Sequence, residues 1–116
     1  MNLVQSVVEG IQIVRIEGRL DSQTAPQLES VVQAVLDAGA QKMLLDCEGM
    51  DYVSSMGLRV FMIAGKLLAA RDGVLAFANL NPQNSQIFEM TSLSKLFPCF
   101  ADRDAALAEL RLKPNM

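Results

Sequence analysis

An α/β fold, with helices packed on a mixed β-sheet, is the class this sequence predicts, and three observations predict it. Short apolar runs at strand spacing alternate with longer runs at helical spacing along the whole chain. Capping residues and turn glycines punctuate these runs at short intervals. Lys42 to Cys47 is a compact apolar run ended by an acidic residue and a glycine-containing loop, which suits a central strand buried on both faces. The expected sheet has about four to five strands, with about four helices on it.

The elements follow in order. Ile11 to Ile16 reads Ile-Gln-Ile-Val-Arg-Ile, a period-two strand, and a strand over Leu3 to Val8 pairs with it through the Glu9-Gly10 turn. Gly18 to Ser22 ends that strand. Asp21 or Ser22 then caps a helix carrying Leu28, Val31, Val32, Val35 and Leu36 at helical spacing. Pro26 fits its first turn and Gly39 closes it. After the strand Lys42 to Cys47 come a loop, Glu48 to Ser54, and a helix from Ser55 to Ala70. Asp72-Gly73 turns the chain into a strand over Val74 to Ala78. Asn81-Pro82 opens a helix to Met90, Phe97 to Phe100 is a last short strand, and Asp102 caps a helix to Leu110. The ordered core is expected over residues 3–112 of a single domain, 1–116, with a frayed tail from Lys113.

Composition narrows the function. A hydrophobic fraction of 51% excludes disorder, while an aromatic fraction of 5% with no Trp points to an aliphatic core. The net charge of −3 and the scattered Lys and Arg argue against nucleic acid. No histidine is present, which removes Ser-His-Asp and Cys-His nucleophiles, phosphohistidine and the common His-containing metal sites. Cys47 and Cys99 match no ligand or redox spacing and read as buried, reduced thiols. No charged leader with an apolar segment opens the sequence, and Val60 to Ala70 is too short to span a bilayer. A cytoplasmic protein without metal or cofactor, not inserted in a membrane and not an enzyme, is expected.

The segment Asp51-Tyr52-Val53-Ser54-Ser55-Met56-Gly57-Leu58-Arg59-Val60 carries the chemistry. It sets two serines and a glycine where a strand gives way to a helix, among backbone N–H groups that lack intrahelical partners. Such a place suits a phosphoryl group. Either Ser54 or Ser55 also serves as an ordinary N-cap there. At about 100° per residue, Ser55, Arg59, Met62 and Lys66 fall within about 60° on one stripe of this helix. That stripe reads as a docking face, or Met62 lies under a neighbouring helix. Asp46, at a strand end beside a loop, reads as part of a functional rim. Asp21, Ser22, Thr24, Asp51 and Asp104 read as capping or turn residues.

This segment resembles the phosphorylation loop of the STAS domain, the fold of bacterial anti-sigma factor antagonists. The likeness extends to Gly18-Arg19-Leu20-Asp21-Ser22-Gln23-Thr24-Ala25, to Leu44-Leu45-Asp46 and to Ser92-Leu93-Ser94-Lys95-Leu96-Phe97. The resemblance implies a STAS-like, SpoIIAA-like domain that binds an anti-sigma factor acting as a serine kinase. Phosphorylation of Ser55, with Ser54 the second choice, would release it, and a phosphatase would reset it. The resemblance further implies a partner-facing surface of Asp21, Ser22, Ser54, Ser55, Met56, Gly57, Arg59 and Met62, on a monomer or weak dimer. Ser54 stands where sporulation-type members carry aspartate, and Met56 where a second serine often follows. The alternative is a non-switching STAS module acting as a subunit of another complex, such as a membrane transporter.

Overall fold

The computed structural model describes residues 1–113. Strands β1 (Asn2–Val8) and β2 (Ile11–Leu20) form an antiparallel hairpin. Its two-residue turn, Glu9-Gly10, has positive φ at both positions, 51° and 78°, matching the twist of the strands it joins. Helix α1 (Ala25–Asp37) returns the chain to β3 (Lys42–Val53), and α2 (Ser55–Ala69) returns it to β4 (Val74–Ala78). Then come α3 (Pro82–Met90), the single turn α4 (Leu93–Leu96), β5 (Cys99–Phe100) and α5 (Arg103–Leu112). The strands lie in the order β1-β2-β3-β4-β5, parallel except for the first pair. The mixed five-stranded sheet is therefore as expected, and α4 brings the helices to five.

Side-chain alternation along β3 builds a core on each face of the sheet. Met43, Leu45 and Cys47 join the larger one, with Leu28 and Val32 of α1, Phe61 and Leu68 of α2, and Phe88 of α3. Leu44 joins the smaller one, with Ile11, Ile13 and Ala76 beneath Ala106, Leu107 and Leu110 of α5. Residues Lys42 to Cys47 are buried throughout, as a doubly covered strand requires. The larger core is not purely aliphatic. Phe77 takes Phe61 and Phe88 edge-on, each at 4.9 Å between ring centroids, so the few aromatics are concentrated at its centre.

Several boundaries differ from expectation, each for a tertiary reason. β2 runs on to Leu20 and β3 to Val53, so all but the last residue of the segment expected as a loop, Glu48 to Ser54, is strand. Two register shifts accommodate this extension, one between Arg15 and Glu17 and one between Gly18 and Arg19. Gly18 sits at the second with φ +99°, and Gly49 crosses Glu17 so closely that a Cβ would lie 2.9 Å from its Cγ. The last strand starts at Cys99 because Leu93–Leu96 coils into α4 first. Cys47 is buried as expected, but Cys99 is exposed, lying on an edge strand of only two residues. Neither Asp21 nor Ser22 caps α1; Thr24 is its N-cap residue, and Asp21 holds the turn before it. The frayed tail lies, apart from Lys113, outside the described residues.

Candidate functional site

Strand register assembles the surface that carries the serines. Parallel pairing puts Arg19 opposite Tyr52 and Leu20 opposite Val53, and the next N–H, that of Ser54, donates to the Leu20 carbonyl at 2.8 Å. The loop beginning at Asp21 and the start of α2 therefore leave the sheet side by side. Gly57 allows their close approach, since a Cβ there would lie 2.7 Å from Leu20 Cγ and 2.9 Å from Val53 Cγ2.

The Asp21 loop is tied locally. Its Oδ1 accepts from the Gln23 N–H at 3.0 Å and the Thr24 N–H at 3.1 Å, an Asx turn. Thr24 Oγ1 accepts from the Asp21 N–H at 2.9 Å and donates to the Arg19 carbonyl at 2.8 Å. The Thr24 N–H above all, with the Gln23 N–H, the Thr24 hydroxyl and the nearby Arg19 guanidinium, outweighs desolvation and holds the Asp21 carboxyl below the ordinary carboxylate value. The carboxylate is thus ionised and fixed in place at neutral pH. Beside it Arg19 lies over the Tyr52 ring, 4.4 Å from its centroid, with Nε 3.8 Å from Asp21 Oδ2.

The two serines have different situations. Ser54 is the N-cap of α2, with extended backbone, and its Oγ accepts from the Gly57 N–H at 3.4 Å. Ser55 is the first helical residue, exposed, and among the described residues no side-chain hydrogen bond engages it. Met56 is 41% exposed beside it, a large apolar side chain turned to solvent. Arg59 and Ser22 are exposed as well. Arg59 borders a small cleft with Glu29 of α1, floored by Ala25, Val60 and Ile63.

Three expected site residues are placed elsewhere. Gly57 is buried under Leu20 and Val53 and serves packing, not the surface. Met62 is half-buried, lining an apolar groove with Gly65, Lys66, Ala69, Leu96 and Phe97. Asp46 is no free rim residue. It is 2% exposed and shares the sheet face of α5, opposite to α2. Arg103 donates to its Oδ2 from Nε at 3.0 Å and from Nη2 at 2.9 Å. The Asn79 amide donates to Oδ1 at 3.0 Å and the Glu48 N–H at 3.1 Å. Burial pushes this carboxyl up, but Asn79, Glu48 and Arg103 together prevail and hold it below the ordinary range.

The stacking of Arg19 on Tyr52 has no local sequence signal, because it depends on the β2–β3 register, which sets the two residues opposite each other. Thr24 looked like a simple turn residue and instead locks the loop at both ends. Among the described residues no helix is long and apolar enough to cross a membrane, and no group of three or more acidic or sulfur ligands is placed to hold a metal ion.

Fold and site together define a small α/β domain that presents one strand-to-helix junction, with its capped serine pair, at the surface. The chain belongs to the STAS domain family, whose match spans residues 2–106. It is similar, at 33% identity over 111 residues and 96% of each chain, to BtrV of Bordetella bronchiseptica, named as an anti-sigma factor antagonist. Its fold is shared with an anti-sigma factor antagonist from Mycobacterium paratuberculosis, at a TM-score of 0.88 and 24% identity over 95% of this chain and 93% of that one. The phosphorylated form of SpoIIAA, the Bacillus cell fate determinant, matches at a TM-score of 0.76 and 19% identity over 95% of this chain and all of that one (100%).

Proposed function

We propose that this chain is an anti-sigma factor antagonist working by partner switching in the cytoplasm. Unphosphorylated, the surface of Asp21, Ser22, Ser54, Ser55, Met56 and Arg59 binds an anti-sigma factor that is also a serine kinase. Phosphorylation of Ser55 ends that contact, and a phosphatase restores it. The chain is then the substrate of an enzyme and not one itself.

One observation carries the choice of Ser55: the Ser54 hydroxyl is occupied as the helix cap, whereas the Ser55 hydroxyl is exposed and unengaged. A phosphoryl group there brings about −1.5 to −2 charges at neutral pH. The positive end of α2 tolerates that charge within the chain. A partner seated over Ser55 has no such relief, because it must desolvate the phosphate beside the ionised Asp21 and near Asp51. Like-charge repulsion and desolvation then act together against the complex.

The test joins peptide mass spectrometry of the protein from its native host with binding of the Ser55→Ala and Ser55→Asp variants to the cognate anti-sigma factor. A phosphate on Ser55, tight binding by Ser55→Ala and lost binding by Ser55→Asp are the expected results. No phosphate under any growth condition, with equal binding by all three proteins, would replace the switch with a non-switching subunit.

A further inference from the structure

The two edges of the sheet are treated differently. At one end β5 contributes only Cys99 and Phe100, too short an edge to template a further strand. At the other, β1 runs for seven residues, Asn-Leu-Val-Gln-Ser-Val-Val, and among the described residues is hydrogen-bonded on one side only, to β2. Its pairing with β2 is regular at every position from Asn2↔Glu17 to Val8↔Ile11, with no bulge to twist the free edge away. It contains no charged residue and no proline, the other devices that keep strand edges from pairing. Val7 is 60% exposed and Val4 46%, on opposite faces of the strand. Charges were available close by, since Arg15, Glu17 and Arg19 all stand on the neighbouring strand.

We infer that β1 is a homodimer interface: two copies join edge to edge through antiparallel β1–β1 pairing. The occupant is a second copy because the strand complements itself. A two-fold axis perpendicular to the sheet sets each residue against its mirror position about the strand midpoint, Gln5. Leu3 then faces Val7 of the other copy, and Val7 faces Leu3, on the sheet face shared with α1. Val4 faces Ser6 on the other face. In such an arrangement any charge at the centre would meet its own like, and the strand carries none. The pair also closes on itself. Once both β1 edges are joined, only the two-residue β5 edges remain, so growth stops at a dimer with one continuous ten-strand sheet.

Sedimentation velocity over a wide concentration range, on the full chain, tests this. The wild-type protein should shift from monomer to dimer as concentration rises. Gln5→Lys opposes two ammonium groups on the axis and should weaken association about fivefold, as should Gln5→Glu. A mixture of the two variants should associate better than either alone, which only a pairing centred near Gln5 allows. Val7→Lys should also weaken it. Position 5 and position 7 are exposed in the monomer, and far-UV circular dichroism checks that each variant is folded. A wild-type protein that stays monomeric at every concentration overturns the inference. A dimer that none of these substitutions alters, or a mixture no better than its components, overturns it equally.

Discussion

Replacing Asp46 by asparagine separates a structural carboxylate from a functional one. The side chain is 3% exposed and accepts from the Arg103 guanidinium, the Asn79 amide and the Glu48 N–H. Asparagine keeps one acceptor oxygen but turns an NH2 toward a donor, Arg103 or Asn79, and removes the charge that faces Arg103. Breaking a fully buried ion pair costs about 3–5 kcal/mol. The Arg103 side chain is 36% exposed and regains water, so the expected loss is smaller, about 2–3 kcal/mol. In urea, with a slope of about 1–3 kcal/mol per molar, the midpoint should fall by about 0.7–3 M.

The same substitution fixes the sign of a pH effect. Because folding lowers this carboxyl from its ordinary 3.8, the unfolded chain binds more protons between the two values. The stabilisation by Asp46 is therefore complete above the unfolded value and is lost as pH falls through the folded one. Asp21 is lowered too, so the wild-type acid limb has more than one source. The diagnostic quantity is the difference in unfolding free energy between wild type and Asp46→Asn, measured by urea titration at neutral pH and again below 3.8. It should shrink on acidification, and binding of the anti-sigma factor at neutral pH should be unchanged. A loss below about 1 kcal/mol, a difference independent of pH, or selective loss of partner binding in a fully stable variant would refute the assignment of Asp46 as a tether for α5.

Three further substitutions probe the junction itself. Gly57→Ala drives a Cβ to within 2.7 Å of Leu20 Cγ, and overpacking of about 1–3 kcal/mol outweighs the gain of up to about 1 kcal/mol in helix propensity, so urea unfolding should show a net loss. Ser54→Ala removes a long capping bond, 3.4 Å, and should cost about 0.5–1 kcal/mol by the same measurement. Ser55→Asp places a negative charge at the start of α2 and should raise thermal stability slightly, by about 0.3–1 kcal/mol, so lost partner binding in that variant cannot come from unfolding.

Much of the fold was legible because its signals are local. The Ile11 to Ile16 alternation, the apolar face of α1, the Asn81-Pro82 start of α3 and the Asp102 cap of α5 each depend on residues within one or two turns. The serine pair was legible for the same reason, although only the bond from the Gly57 N–H decides which hydroxyl is the cap. Asp46 was misread because half of its signal is remote. Its place at the strand end was right, since it is the last β3 residue paired with β4. Arg103, however, lies 57 residues onward, and nothing in either local sequence announces the pair. For Met62 the sequence left a docking face and cover by a neighbouring helix both open, and its half-buried place beside Leu96 of α4 was not legible because α4 shows no periodicity long enough to read. The β3 extension was missed because bulges relative to β2 permit it, and a bulge is a property of two strands.

The departure at Ser54 has a physical consequence for any phosphate cycle at Ser55. Aspartate and serine are both good N-cap residues, so the exchange leaves the start of α2 intact. What changes is charge: the neutral cap leaves the helix N-terminus uncompensated, and the first turn of α2 contains no acidic residue. The macrodipole is thus available to an incoming phosphoryl group instead of being answered by a resident carboxylate. The fixed carboxylate nearest this junction in the sheet register, Asp21, is held by its own Asx turn and Arg19, not by α2. On the switching reading proposed above, capping, phosphate acceptance and partner repulsion would be divided among Ser54, Ser55 and Asp21, one task to each side chain. Substitutions at the three positions then weight stability and binding differently, which is why the two measured together on the same variants resolve the mechanism where either alone would not.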